Sequence, residues 1–321
     1  MKPFWGEHPE LAGELGRVKE EILSRAGRGD GEVQVCVQRL VVSNGKMLRP
    51  AFLLLAASFG APDPAKVRRL GAAIEMLHMA TLVHDDIIDE ALVRRGIETL
   101  HSLSGSRAAV LIGDWLFAAS FSLISELAAL ENARGIAGLV SQICSSEIRQ
   151  SAERFSVNPS VRRYIRTIAG KTALLFSLSF SLGAHESGAA PEVCQTLRRL
   201  GYSLGMGFQI IDDILDFEGS VAETGKPTGS DLAQGIFTLP VVLGLHADDG
   251  SLAAELAKTP YVPDALARIA CLICERGGLE GARRYARSYT ERSKREISKL
   301  PDTEARRILA AVVEKLLHRT Y

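Results

Sequence analysis

The sequence has no excess of charge of either sign: Lys and Arg number 38 and Asp and Glu 38, so the formal net charge is 38 − 38 = 0 over 321 residues. Proteins that grip nucleic-acid backbones carry a basic surplus, so a broad phosphate-backbone binder is excluded. Only a local basic site for a small phosphorylated ligand is left open. Cysteine is sparse and odd in number, five in all (Cys36, Cys144, Cys194, Cys271 and Cys274). That count argues against a disulfide scaffold and favours a reducing compartment. Cys271 and Cys274 form one CxxC, but zinc needs a second ligand pair and thioredoxin chemistry a βαβ context, so the thiols are expected to be small buried side chains. Long hydrophobic runs are missing as well. The longest, AAVLIGDWLF and TALLFSLSFSLGA, are interrupted by Asp114 or fall short of the roughly 20 residues that cross a bilayer. The opening MKPFWGEHPELAGELGRVKEE has neither the apolar core of a signal peptide nor the character of an Arg-rich transit sequence. The expectation is a soluble, cytoplasmic protein with no membrane span and no nucleic-acid partner.

What is present is apolar residue in quantity: 46% of the chain is hydrophobic and 24% charged, enough to bury a large core and to exclude disorder. Apolar residues recur at three- and four-residue spacing, and Gly and Pro clusters such as GRGDG, GAPDP, VNPS and ETGKPTG punctuate them. The spacing predicts an all-α chain, a single large bundle of about ten or more helices, with one domain over residues 1–321. One stretch competes: Glu32 to Gln38 alternates as a strand would, yet Val33, Val37, Leu40 and Val41 also share a helical face and no second strand is available to pair, so a helix is expected. LGAAIEMLHMATLVHDD and GYSLGMGFQIIDDILDF are apolar nearly all round, as central helices of a bundle are. In the second, Gly201, Gly205 and Gly207 read as close helix packing, since no strand precedes them to make a nucleotide loop.

Those two central segments carry the same short motif, DDxxD, at Asp85, Asp86, Asp89 and again at Asp212, Asp213, Asp216. On a helix the three positions fall at about 0°, 100° and 40°, so each motif puts three carboxylates on one face. Ile87, Ile88, Ile214 and Leu215 make that face unlike an ordinary solvated acidic patch. Like charges one turn apart cost about a few tenths of a kcal/mol even when exposed and more when partly buried, so a cation is called for. All-carboxylate sets suit Mg²⁺ or Mn²⁺, and Mg²⁺ completes its shell with water and substrate phosphates. The implied ligand is a diphosphate. Basic groups suited to it follow in the chain: Lys46 and Arg49 in NGKMLRP, with Gly45 freeing the backbone and Pro50 in a helix's first turn; Arg94 and Arg95 roughly a turn past Asp89; Lys171 and Thr172 opening an apolar helix; and Lys226 in a Gly-Lys-Pro turn.

With its motifs GKMLRP, EMLHMATLVHDDIIDEALVRRG, GDWLF, GKTALLF, GFQIIDDILDF and GKPTGSDLAQGIFTLP in that order, the chain resembles the trans-isoprenyl diphosphate synthases, or polyprenyl synthetases, from about residue 40 to 245. The resemblance implies a bundle around a deep central cavity, a homodimer or a heterodimer with a small regulatory subunit, and the condensation of isopentenyl diphosphate with an allylic diphosphate such as farnesyl or geranyl diphosphate. It implies that Asp85, Asp86, Asp89, Asp212, Asp213 and Asp216 bind several Mg²⁺ ions bridging the allylic diphosphate. By the same resemblance Arg94, Lys171, Thr172, Gln209 and Lys226 contact the allylic substrate, and Gly45, Lys46, Arg49, His78 and Arg95 hold isopentenyl diphosphate. Two positions depart from the family's pattern: Ile236 follows Gly235 where a lysine is common, and Met47 follows Lys46 where an arginine is common.

In that family bulky residues just before the first triad close the cavity of short-chain enzymes. Here Ala80 and Thr81 are small, and Leu123 and Ile124 on the following helix would form a floor, so a hexaprenyl to octaprenyl product is expected, with farnesyl or geranylgeranyl diphosphate as the short-chain alternative. Rival readings explain less. Glu75 and His78 match the ExxH of di-iron bundles, and Glu98 and His101 repeat that spacing, but a di-iron reading leaves both DDxxD triads unexplained. A metal phosphohydrolase built on His84-Asp85 leaves the second triad unexplained, a class I terpene cyclase lacks the GKxxRP element, and a non-catalytic scaffold would not need both triads.

Overall fold

A computed structural model describes residues 4–43, 45–94, 96–218 and 229–317. The chain is all-α, as expected. Helices α1 (Pro9–Ala26), α2 (Gly31–Ser43), α3 (Leu48–Ala57), α4 (Pro64–Ile88), α5 (Leu100–Leu127), α6 (Leu130–Ala152), α7 (Val161–Ile168), α8 (Leu174–Glu186) and α9 (Pro191–Glu218) are followed by helices at Ser230–Ala233, Leu239–His246, Ser251–Leu256, Pro263–Glu275, Gly278–Ser298 and Glu304–Leu317. Local chemistry sets several of the ends. Asp63 caps α4, its carboxylate accepting from the Ala65 and Lys66 N–H groups, with Pro64 in the first position. Thr99 caps α5 through the Ser102 N–H. The α2 segment is helical, with Val37 and Val41 buried and Val35 and Val42 exposed, so the helical face prevails over the alternation.

Among the described residues extended pairing is confined to one hairpin, β1 (Val93–Arg94) against β2 (Ile97–Glu98), with Gly96 at φ 77°. The expectation that Arg94 follows Asp89 by a helical turn is thereby corrected: α4 stops at Ile88 and the chain turns back.

The fold divides into two compact units, one of Met1–Ile136, Ser179–Leu197 and Thr303–Ile308, the other of Ala137–Leu178, Arg198–Asp302 and Leu309–Tyr321. In the first, α4 is the central rod. Leu70, Ile74, Leu77 and Ala80 along it are fully enclosed, α5 lies against it, and the Ser120 hydroxyl donates to the Ala73 carbonyl at 2.8 Å. Phe52 of α3 stacks on Phe180, ring centroids 4.7 Å apart. In the second, the turn just before α8 and helix α9 approach closely where the sequence has glycine: a Cβ on Gly205 would lie 2.6 Å from the Ala173 Cα. A separate apolar cluster of Leu232, Val241, Leu252, Leu256, Ile269 and Ile273 closes that unit's far part.

Two expectations are overturned. Only Cys194 is a buried thiol; Cys144, Cys271 and Cys274 are exposed and Cys36 intermediate, because their helices turn those positions to solvent. The apolar runs are longer than they look in sequence: Leu100–Leu127 and Val161–Glu186 are each long and apolar enough to cross a membrane. Helix α5 continues through exposed Asp114, and α7, a π turn at Ala169–Ala173 and α8 run on as one helix. Of the most apolar window, 67% is buried in the second but only 39% in the first.

Candidate active site

Both acidic triads occupy the same local position. Asp85 and Asp86 lie in the last turn of α4, and Asp89 is its C-cap, at φ −90° and ψ 1°, not a residue of the helix face as the spacing suggested. Asp212, Asp213 and Asp216 lie in the last two turns of α9, which ends at Glu218. A helix C-terminus is the negative end of the macrodipole, where a carboxylate is disfavoured by about 0.3–1 kcal/mol. Each triad therefore gathers negative charge where the backbone opposes it, which a nearby cation would relieve.

In the first unit the hairpin brings one cation back: Arg94 Nε donates to Asp86 Oδ1 at 2.6 Å, and the Asp86 carboxylate is largely buried. Beside this pair an open cleft is lined by Arg39, Met79, Leu82, Asp86, Arg94 and Leu100. The expected homoallylic residues lie on the segment between α2 and α3, on the first turn of α3 and on α4. Gly45 and Lys46 precede Met47, which adopts the left-handed conformation at φ 51° and ψ 42° and starts α3; Arg49 follows in its first turn, and half-buried His78 lies on α4. Arg95 lies outside the described residues. Of the expected chain-length residues, Ala80, Leu123 and Ile124 are enclosed, at 0%, 0% and 1% exposure. Thr81 keeps partial exposure, its hydroxyl donating to the His78 carbonyl at 2.7 Å.

The second unit carries a continuous polar chain. Thr172 donates through its hydroxyl to Gln209 Oε1 at 2.6 Å, Gln209 Nε2 donates to Asp213 Oδ1 at 3.0 Å, and the Tyr164 phenol donates to Asp213 Oδ2 at 2.5 Å. Lys171 and Thr172 are successive residues of the π turn, so their side chains leave it on different sides. Lys171 Nζ reaches Glu147 and Gln150 of α6, at 3.2 Å each, while Thr172 faces α9. Asp216 accepts from the Ser230 N–H and hydroxyl on one oxygen and from the Asp231 N–H on the other, fixing the chain that returns after α9. Lys226 lies outside the described residues. Ile236 is half-buried with its N–H on the Asp231 carbonyl, and Gly235, at φ 74°, leaves room for the Phe155 ring.

The electrostatics of this unit fit a divalent cation. Burial pushes the Asp213 carboxyl up to about 8, with Asp231 and Asp212 adding to the rise and the Tyr164 and Gln209 hydrogen bonds opposing it. Tyr164, itself buried beside that carboxyl, is pushed well above its ordinary value. Negative groups so crowded are relieved by a hard cation, and the donors on offer are all carboxylate oxygens, as Mg²⁺ prefers. Among the described residues no three His, Cys, Asp or Glu side chains converge closely enough to hold a metal by themselves, so bound Mg²⁺ would draw part of its shell from water or ligand oxygens.

Tyr164 was not singled out from the sequence. It lies 49 residues from Asp213, and its one available signal was a lone aromatic on the buried face of an otherwise basic helix.

The sequence and the fold both have relatives. The family model described as polyprenyl synthetase matches residues 31–266. The heptaprenyl diphosphate synthase component 2 of Geobacillus stearothermophilus is 37% identical over 313 residues, covering 97% of this chain and 97% of that protein. The nonaprenyl diphosphate synthase of Mycobacterium tuberculosis is 34% identical over 309 residues, covering 95% and 92%. The crystal structure of a geranylgeranyl pyrophosphate synthase from Lactobacillus brevis ATCC 367 superposes with a TM-score of 0.92 at 30% identity, covering 99% of this chain and 100% of that one.

Proposed function

The chain belongs to the polyprenyl synthetase family and is a prenyltransferase, and from that premise we propose that it is a long-chain all-trans-polyprenyl diphosphate synthase, condensing isopentenyl diphosphate head to tail with an allylic diphosphate and releasing pyrophosphate. The observation that carries the reading is the pair of aspartate triads, each at the C-terminal end of a long helix and each with a cation or polar chain fixed beside it.

In this reading Asp85, Asp86, Asp89, Asp212, Asp213 and Asp216 hold the metal, and Arg94, Lys171, Thr172, Gln209 and Lys226 hold the allylic diphosphate. Gly45, Lys46, Arg49, His78 and Arg95 hold isopentenyl diphosphate. Mg²⁺, when bound, supplies positive charge against the charge that develops on departing pyrophosphate. The side chains do the rest. The ion pairs Lys171–Glu147 and Arg94–Asp86 keep both cations extended and ordered, so less side-chain entropy is lost when a diphosphate takes over their charge. The polar chain from Thr172 to Tyr164 holds the Asp213 carboxylate in one arrangement. The proton lost when the new double bond forms is accepted by the released pyrophosphate.

The long product rests on side chains, since the architecture is shared with the geranylgeranyl pyrophosphate synthase. Small Ala80 and Thr81 before the first triad, and identity to heptaprenyl and nonaprenyl diphosphate synthases, support it. We read the chain as one domain: the family match crosses both units, and the unit boundaries after residues 136, 178, 197 and 308 fall inside helices. We place the enzyme in the cytoplasm, in keeping with its five free cysteines. A homodimer accounts for α5, whose Val110 and Leu111 are 40% and 61% exposed on a helix otherwise apolar; a heterodimer with a small subunit is the alternative suggested by a relative described as a component 2.

The test is incubation of the purified protein with Mg²⁺, labelled isopentenyl diphosphate and farnesyl diphosphate, with products sized by chain length. Incorporation into products of six to eight prenyl units is expected. Incorporation only after a small subunit is added selects the heterodimer, and no incorporation with any allylic primer under either condition overturns the reading.

A further inference from the structure

The segment before α1 is anchored to the segment between α2 and α3. Trp5 is 7% exposed, and its indole N–H donates to the Lys46 carbonyl at 2.5 Å, joining positions 41 apart in sequence. A buried indole N–H needs such a partner. Phe4 packs edge-on against Trp5, centroids 4.8 Å apart, and the Lys46 ammonium lies 5.1 Å from the centre of the Phe4 ring. The next residue, Met47, is in the left-handed conformation, which a non-glycine residue holds only where its surroundings impose it. Behind Trp5 the chain is fixed by the His8 N–H on the Trp5 carbonyl, at 2.9 Å, and by α1, which buries Leu11, Leu15, Val18 and Ile22. Lys46 is thus held at both ends by two aromatic residues that belong to none of the motifs.

We propose that Trp5 and Phe4 are positioning residues for the diphosphate of isopentenyl diphosphate: Trp5 fixes the backbone of Lys46, and Phe4 holds its ammonium in place until the diphosphate arrives. The inference rests on the reading of Lys46 as a homoallylic-substrate residue. A cation over an aromatic face is a weak, sequence-distant contact, far weaker than an ammonium on phosphate, so it orders the side chain without competing with the ligand. Ordering before binding lowers the entropy lost on binding, and that gain falls on one substrate only.

Two variants test this, Trp5→Phe, which keeps the bulk and removes the N–H, and Phe4→Leu, which removes the aromatic face. Trp5→Phe is expected to weaken isopentenyl diphosphate about two- to tenfold, and Phe4→Leu about two- to fivefold. Both should appear as a rise in KM for that substrate with kcat and the KM for farnesyl diphosphate unchanged. Titration calorimetry with isopentenyl diphosphate in the absence of any allylic primer gives the same ratio without turnover, which separates this inference from the assigned activity. If the parent protein turns nothing over, alone or with a small subunit, while the dissociation constant still rises in the variants, the activity is wrong and the positioning role stands. Equal effects on both substrates, or unchanged dissociation constants in folded variants, overturn the role. If Trp5→Phe does not fold, Phe4→Leu, which leaves the indole in place, carries the test.

Discussion

Tyr164 donates its phenol proton to Asp213 across 2.5 Å, joining the short helix α7 to the second aspartate triad. With Gln209 on the other oxygen, both oxygens of Asp213 accept hydrogen bonds from neutral donors. The arrangement fixes the carboxylate's plane before any ligand binds. Tyr164→Phe leaves the ring and removes the proton. With a cation beside it the carboxyl is ionised, and a lost hydrogen bond to a buried charged group then costs about 1.5–3 kcal/mol. The expected outcome is a fall in kcat/KM for farnesyl diphosphate of about tenfold or more, with a higher Mg²⁺ requirement and isopentenyl diphosphate KM unchanged, measured by steady-state kinetics. A uniform loss on both substrates together with a lower melting temperature would assign Tyr164 to the core alone.

The same carboxyl gives a pH dependence. Its value rises from 3.8 in an unfolded chain to about 8 in the fold. Between those two values the folded protein holds a proton that the unfolded chain has released. Stability contributed through this group therefore falls as pH rises across that window, opposite to a salt-bridged aspartate. Metal-free protein melted at intervals from pH 5 to 8 should lose thermal stability toward pH 8, and Asp213→Asn should lose less over the same range. Equal slopes for the two proteins would mean that Asp213 is ionised throughout.

Much of this was legible in the sequence, and the parts that were not share a physical reason. The triads, the α2 helix and Gly205 where the π turn meets α9 announce themselves through local spacing, because helical periodicity and the lack of a side chain are properties of neighbours in sequence. Tyr164, Trp5 and Phe4 act on residues tens of positions away, which no local pattern records. The hairpin after Asp89 has two residues in each strand, too few to show alternation. The π turn at Ala169–Ala173 inserts into what reads as continuous helix, so Lys171 and Thr172 lie within a bulge and do not open a helix. Exposed Cys144, Cys271 and Cys274 show that burial follows the helix face, not the residue's average habit.

Product length separates two adjacent positions. Ala80 is fully enclosed, whereas Thr81 keeps open surface on the same helix, so the two should respond differently to bulk. Thr81→Tyr is expected to shorten the product, with melting temperature nearly unchanged, as read by chromatography of the dephosphorylated alcohols. Ala80→Tyr should act first on stability, by about 1–3 kcal/mol or more, since an enclosed site must be forced apart. If Ala80→Tyr shortens the product at full stability and Thr81→Tyr does not, the growing chain passes on the Ala80 side.

Gly205 connects packing to chemistry. A methyl group there would lie 2.6 Å from the Ala173 Cα and 3.3 Å from its backbone nitrogen, and neither atom is the end of a flexible side chain. Ala173 ends the π turn that carries Lys171 and Thr172, so Gly205→Ala must push that turn off α9. Overpacking of this kind costs about 1–3 kcal/mol, and the displacement would lengthen the Thr172–Gln209 bond, now 2.6 Å, on which the orientation of Asp213 depends. The expected result is a lower melting temperature accompanied by weaker farnesyl diphosphate binding, with isopentenyl diphosphate affinity unaffected because Lys46 belongs to the other compact unit. Calorimetric titration of each substrate into the folded variant decides the matter: equal weakening of both would show that the turn is a passive part of the core.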